Sequence, residues 1–354
     1  MANLVSIIVP AYNGESTIAG TLASARAQVG VECEIIVVDD GSTDRTVQIV
    51  AEQADRDARI KLISGPRGGV ARARNLAVSN ANGNFIAPLD ADDLWHPEKL
   101  ARQLARFEEC GPDCGLVYNW FRRIDQDDMV IAGSPRPMVE GRVFYRHLSW
   151  NFISNGSTPL IRREALASVQ YEPELRDRGL QGCEDYLLQL QLAQRHKFAC
   201  VPAFLTGYRR APGAMSTNVE RMIRSHILMF EMIADEAGDS GAWIVRRQLA
   251  RLHVELARNS LGKLNPAGMV RNLGRALAKD RVMAARSLKF EFVRLLQGGH
   301  RTPAGSTRGF DAFSAEEIDG PWTALRSIEA LGELAAMDNE SGSGLPDHLA
   351  REAF

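Results

Sequence analysis

The chain has 354 residues, a formal net charge of −2 and 45% hydrophobic residues, enough for one large core or two domains. No run of eighteen apolar residues occurs, so no membrane-spanning helix is expected, and Met1-Ala2-Asn3 lacks the basic start of a signal peptide. Five scattered cysteines (Cys33, Cys110, Cys114, Cys183 and Cys200) fit a reducing cytoplasm better than a disulfide scaffold, and Cys110 with Cys114 has no partner pair at zinc spacing.

The first hundred residues alternate two periodicities. Val5-Ser6-Ile7-Ile8-Val9, ended by Pro10, reads as a strand buried on both faces. Ser16 to Gln28 then carries Ile18, Leu22 and Ala25 on one helical face. Glu34-Ile35-Ile36-Val37-Val38 repeats the strand pattern, and Ser42 or Thr43 can cap a helix through Val47 and Val50. Residues 60–63 and 85–87 are weaker strands, with helices over 69–79 and 97–109, Pro97 fitting a first helical position. Strand–helix alternation predicts an α/β fold with a doubly wound, mostly parallel sheet.

Ligands of such sheets bind beyond the carboxyl ends of the strands. Three polar clusters fall there: Pro10-Ala11-Tyr12-Asn13, Asp39-Asp40-Gly41-Ser42 and Asp90-Ala91-Asp92-Asp93. Three carboxylates in four positions repel one another unless a cation sits among them. Oxygen ligands on a short loop suit Mg²⁺ or Mn²⁺, whose usual second ligand is a diphosphate; the plainer reading is an acidic turn capping the next helix. Neither Gly-x-Gly-x-x-Gly nor a Walker lysine occurs, so a diphosphate has no backbone cradle, and Gly65-Pro66-Arg67-Gly68-Gly69 reads as a turn. Arg72 and Arg74 either add positive charge or are solvated helix residues. Asp40 either caps a helix or accepts from a base or sugar.

The succession Val5 to Asn13, Val37 to Asp44, Ala73-Arg74-Asn75 and Leu89 to Asp93 resembles glycosyltransferase family 2 over about residues 3–216. The resemblance implies a GT-A fold and an inverting transfer from a nucleotide-diphosphate sugar. It implies Pro10, Ala11, Tyr12 and Asp40 at the base (usually uracil) and Arg74 near the nucleotide. Asp92 would be the direct metal ligand, with Asp90 beside it and nearer the ribose; Asp93 would brace the loop. Gly182-Cys183-Glu184-Asp185 resembles the family's Glu-Asp element, in which Asp185 is the catalytic base and Glu184 its neighbour. Adjacent carboxylates at a helix N-terminus gain from its dipole, and an ordinary capping pair is the alternative. Tyr208 to Ser216 resembles a closing segment in which a histidine often stands where Ala211 is, which leaves a third metal ligand open. The Gln-x-x-Arg-Trp motif of processive synthases is missing, which points to single-sugar transfer. Trp95, Trp120 and Trp150 can stack on a sugar or sit in the core, and the stretch 150–158, with Asn155, is expected on the acceptor side.

Charge divides the chain. Residues 1–218 carry 24 basic and 26 acidic side chains, 219–301 carry 15 and 8, and 302–354 carry 3 and 10. Residues 1–218 are therefore expected as the catalytic domain and 219–300 as a helical extension. The region of 298–299 and 303–305 is expected as a linker, and the acidic stretch 301–354 continues with a helix over 321–337 and a flexible 341–344. The basic stretch 271–301 is either a bundle face or a peripheral contact with an anionic membrane or lipid-linked acceptor. The reading is thus a cytoplasmic enzyme, peripheral at most on the inner membrane face, with Mn²⁺ or Mg²⁺, a nucleotide-sugar donor and a saccharide or lipid-linked acceptor. It has no nucleic-acid partner. A non-catalytic nucleotide-sugar binder and a sugar-phosphate nucleotidyltransferase are the alternatives.

Overall fold

A computed structural model describes residues 3–180, 182–210, 218–296, 308–316, 334 and 337–339. Strands β1 (Val5–Ala11), β2 (Cys33–Asp39), β3 (Ile60–Ser64) and β4 (Phe85–Pro88) are parallel neighbours in the order β3-β2-β1-β4. Every residue of β1, β2 and β4 is buried, as strands covered on both faces require. Helices α1 (Ile18–Arg26), α2 (Thr46–Ala54) and α3 (Val70–Ser79) make the crossovers.

Beyond β4 the expectation of a mostly parallel sheet gives way to a mixed one. The strand β6 (Cys114–Ile124) runs parallel to β9 (Lys197–Arg209) but antiparallel to β8 (Leu160–Arg162), and β8 is antiparallel to β4. The short β5 (Leu94–Trp95) closes on β9, and β7 (Val130–Gly133) flanks β6. Helix α1, with Val50 of α2 and α4 (Lys99–Cys110), covers one sheet face, where Ile18, Leu22, Val50, Leu100 and Phe107 are buried. The other face is covered by α3, α5 (Phe144–Ser149) and α7 (Glu184–Ala193); the short α6 (Glu174–Asp177) precedes α7.

Four helices follow: α8 (Val219–Met232), α9 (Ala234–Gly262), α10 (Pro266–Lys279) and α11 (Arg281–Leu296). Ile223 and Phe230 of α8 and Ile244 and Leu249 of α9 belong to the same buried cluster as Leu187 and Leu190 of α7. The helical extension therefore shares a core with the sheet. No helix among the described residues is long and apolar enough to cross a membrane.

Residues 308–316, inside the stretch expected as linker and tail, return to the sheet. Phe310 and Phe313 pack with Leu94, Ile124 and Val130, and the Phe204 amide donates to the Ala315 carbonyl at 2.7 Å. The expected linkers at 298–299 and 303–305, the flexible 341–344 and nearly all of the helix over 321–337 lie outside the described residues, as does Ala211.

Candidate active site

Register places Ala11 opposite Asp39, so the loops leaving β1 and β2 start side by side. They are knitted together. The Asn13 amide donates to Ser42 Oγ (3.0 Å), the Thr43 amide to Asn13 Oδ1 (2.9 Å) and the Gly14 amide to Thr46 Oγ1 (2.8 Å). Asn13 sits at φ 49°, a left-handed conformation that asparagine tolerates better than most residues. The cap expected from Ser42 or Thr43 is not made: Arg45 stands at the start of α2 without a side-chain cap, and the Asp44 carboxylate just before it accepts from the Thr46 amide at 2.9 Å. The Ser42 and Thr43 side chains are turned toward Asn13.

Pro10 and Ala11 are buried, and Tyr12 projects 41% exposed beneath the Arg67 guanidinium, 4.8 Å from its ring centroid. Asp40 is buried and accepts from the amides of Gly68 (2.5 Å) and Gly69 (2.9 Å), with Arg176 3.9 Å away. The glycine-rich turn is thus organised by a carboxylate. A Cβ on Gly69, at φ +92°, would lie 2.3 Å from the Arg176 side chain. Arg72 and Arg74, two positions apart on α3, face different ways. Arg72 is solvent-facing in a two-pronged pair with Asp177 (2.8 and 2.9 Å), as the solvated alternative has it. Arg74 is buried and pairs with Asp90 at 2.5 Å. Burial opposes its charge, and the Asp90 carboxylate more than offsets this, so Arg74 remains cationic.

The acidic loop is pinned on both sides. The Thr17 and Thr21 hydroxyls donate to the Ala91 carbonyl at 2.9 and 3.0 Å, and the Asp90 amide donates to Ser157 Oγ at 3.0 Å. Asp93 is fully buried and accepts from Ser157 Oγ (2.6 Å), the Arg209 amide (2.9 Å) and Asn155 Nδ2 (3.4 Å). It braces the loop and does not face a ligand. Asp92 is half-buried, and burial together with the Asp90 charge pushes its carboxyl up to about 6. Arg209, at the end of β9, donates from Nε to the Asp92 carbonyl (2.7 Å) and from Nη1 to the Asp125 carbonyl (2.5 Å), and pairs with Asp128.

Glu184 and Asp185 open α7. Glu184 accepts from the Gly182 amide (2.8 Å), Asp185 Oδ1 from the Tyr186 amide (2.8 Å), and burial raises both carboxyls. The decisive geometry is at Gly156. A Cβ there would lie 3.1 Å from Arg74 Nη2, 3.4 Å from Asp185 Oδ2 and 3.5 Å from Asp90 Oδ2. Residues from α3, the β4 loop, the start of α7 and the 151–158 stretch thus converge on one point outside the carboxyl ends of the strands.

Residues 6–169 match the family model described as glycosyl transferase family 2. These residues form a glycosyltransferase family 2 domain. The chain is 36% identical over 129 residues to a chondroitin synthase of Pasteurella multocida, a match covering 36% of this chain and only 13% of that synthase. It is 29% identical over 273 residues to the putative teichuronic acid biosynthesis glycosyltransferase TuaG of Bacillus subtilis, covering 73% of this chain and 97% of TuaG. Residues 1–349 of S. aureus TarS, solved in complex with UDP-GlcNAc, superpose with a TM-score of 0.58 at 19% identity, over 85% of this chain and 93% of that one. The architecture is therefore the GT-A fold with a helical extension.

The family 2 domain uses its expected acceptor-side residues differently. Trp95 is 2% exposed, its indole N–H donates to the Ser157 carbonyl (2.9 Å) and Lys99 lies 4.1 Å over its ring. It is core and stacks on no sugar. Asn155 is 3% exposed and holds the Ser157 amide (2.6 Å) as well as Asp93, so it supports the acidic loop. Trp150 is half-buried against Phe152, and Trp120 donates to the Pro137 carbonyl at 3.0 Å. Sequence reasoning missed Ser157 and the bracing by Arg209. The only signal was Arg209's place within the closing segment.

Proposed function

We propose that the chain is an inverting glycosyltransferase that moves one sugar from a uridine-diphosphate sugar to an acceptor hydroxyl, in polysaccharide or glycolipid assembly. The observation that carries this reading is the convergence of Arg74, Asp90 and Asp185 over Gly156. TuaG, named for teichuronic acid biosynthesis, and TarS, solved with UDP-GlcNAc, support the pathway class and the donor. The base would lie along Pro10, Ala11 and Tyr12, with Asp40 holding the glycine turn beside it. Asp185 would take the proton of the acceptor hydroxyl as its oxygen bonds to the anomeric carbon and the bond from that carbon to the diphosphate breaks. Glu184 shapes the turn before it through the Gly182 amide.

Asp92 and Asp90 fit Mg²⁺ or Mn²⁺, since burial and the neighbouring Asp90 charge raise the proton affinity of Asp92, which a cation between the two half-buried carboxylates would relieve. Among the described residues no group of three or more His, Cys, Asp or Glu side chains is placed to hold a metal, so donor phosphate oxygens and water would complete its shell. Such an ion stabilises charge growing on the leaving diphosphate. In the helical extension, α10 and α11 expose Val270, Leu277, Val282, Leu288 and Phe290 among Arg271, Lys279, Arg281 and Lys289. We read this face as a peripheral contact with an anionic membrane surface. Co-sedimentation with phosphatidylglycerol vesicles at low salt, lost at high salt, tests it.

The test of the main reading is a mass-spectrometric screen of nucleotide sugars for binding and turnover, joined to calorimetry with UDP. Uridine donors should bind and turn over. UDP affinity should fall alike with chelator and in Asp92→Ala. Absence of binding and turnover with every nucleotide sugar would refute the enzyme assignment; equal UDP affinity with and without metal would refute the metal assignment.

A further inference from the structure

A cavity of about 340 Å³ lies between the segment leading into α7 and the helices α8, α9 and α10. Its rim carries three exposed guanidinium groups, Arg178, Arg224 and Arg275, against one carboxylate, Glu231. Its depth is apolar, with Leu228 and Leu256 buried. Arg178 and Arg224 are paired with Glu174 (2.5 Å) and Glu220 (2.8 Å) on their own helical turns, exposed pairs that cost little to exchange. The Arg275 guanidinium makes no ion pair or hydrogen bond among the described residues.

A second observation sits inside. His253 lines the cavity, is only 5% exposed, and its Nδ1 has no partner among the described residues. That nitrogen is sealed from solvent, so His253 forms part of the cavity wall between α9 and α10. Burial and then the Arg275 charge hold this imidazole below its ordinary value, so the two groups share one field.

The cavity is also next to the chemistry. Ile227 lines it, and the adjacent His226 presents its ring 6.3 Å from that of Tyr186, the residue after Asp185. Arg178 and Leu180 lead directly into Gly182-Cys183-Glu184-Asp185.

We infer that this cavity is an acceptor subsite for a phosphate or diphosphate ester carrying an apolar chain, held by Arg178, Arg224 and Arg275 over the apolar floor. Guanidinium forks match phosphate oxygens, and a cavity of this size accommodates a diphosphate with the first part of a hydrocarbon tail. The inference rests on the transferase reading, because it assigns the cavity to the acceptor whose hydroxyl reaches Asp185.

Calorimetry on the full chain in EDTA, with geranyl diphosphate, inorganic pyrophosphate and geraniol, tests it. Geranyl diphosphate should bind more tightly than pyrophosphate, and geraniol should not bind. Arg275→Gln, at an exposed position, should weaken geranyl diphosphate about tenfold, the size of one lost charge-assisted hydrogen bond. Arg246→Gln, an equal charge change at an exposed position of α9 outside the cavity, should bind as the wild type does. Pyrophosphate binding as tightly as the geranyl ester would assign the site to a free phosphate compound and overturn the acceptor. Equal loss in both variants would reduce it to a general positive field. No loss in Arg275→Gln would remove the subsite while nucleotide-sugar turnover persists. Failure of the transferase reading looks different: no turnover in the wild type, with Arg275-dependent binding intact.

Discussion

Replacing Gly156 by alanine places one methyl group at the centre of the convergence. Gly156 is buried, and its φ lies outside the left-handed region, so alanine meets a shortage of space and no backbone strain. The new carbon would lie 3.1 Å from Arg74 Nη2, a few tenths of an ångström inside ordinary contact, while the two carboxylate oxygens at 3.4 and 3.5 Å are touched without overlap. Only the guanidinium has to yield, and it is tied to Asp90 at 2.5 Å. The folding cost should therefore sit at the low end of overpacking, about 1 kcal/mol. On the proposed function, activity should suffer far more, because the methyl displaces the charged groups of Arg74, Asp90 and Asp185 around it. Small misplacements of this kind cost about 10²-fold in rate, or about 2.7 kcal/mol of transition-state stabilisation. Urea denaturation measures the first quantity and initial rates of nucleoside-diphosphate release the second. If Gly156→Ala folds normally and turns over within about twofold of the wild type with unchanged KM, no substrate atom passes above Gly156 and the site lies elsewhere.

Asp185→Asn should bind UDP and metal as the wild type does while transfer drops about 10²–10⁴-fold, whereas Glu184→Gln should act mainly on acceptor KM; steady-state kinetics separates the two. Arg209→Lys keeps the charge and loses the guanidinium fork that reaches the Asp92 and Asp125 carbonyls, so UDP affinity in calorimetry should fall about tenfold with folding largely intact. Glu34 links three segments, accepting from Ser6 Oγ (2.7 Å), the Asn82 amide (2.7 Å) and Lys61 (2.8 Å). Burial pulls its carboxyl up, yet these donors outweigh it and hold it at about 2, below an ordinary value near 4.5. Its contribution is therefore present above about 4.5 and lost as the pH falls toward 2. Glu34→Gln should cost about 2 kcal/mol at pH 7 in urea denaturation, with the difference from wild type gone near pH 2.

The parallel half of the sheet was legible because its strands are covered on both faces and their β-branched runs carry no other message. The mixed half was not, since β5 has two residues and β8 three, too few to show a period. The acidic loop stood out through charge repulsion, which acts at neighbouring positions. Arg209 and Ser157, which brace it, lie 117 and 64 residues away from the residues they hold, and no local pattern records that distance. Sequence leaves Trp95 open between a sugar platform and the core, and places Asn155 on the acceptor side; their burial depends on a hydrogen-bond network centred on Ser157 that exists only in the folded chain. Arg72 and Arg74 show the limit of motif reading at two-residue spacing, where helical geometry sends one inward and one out.

The return of residues 308–316 to the sheet has a consequence for the order of synthesis. Leu94, Ile124 and Val130 leave the ribosome almost two hundred residues before Phe310 and Phe313 arrive to cover them. Until then Leu94 of β5, Ile124 of β6 and Val130 of β7 form an uncovered apolar strip close in sequence to the acidic loop. The nascent sheet cannot complete its packing when the family 2 domain ends at residue 169; it waits for β9 and helices α6 to α11 to emerge. A fragment stopped after α11 would be held at that intermediate, with Leu94, Ile124 and Val130 left as the sticky edge of a half-made protein.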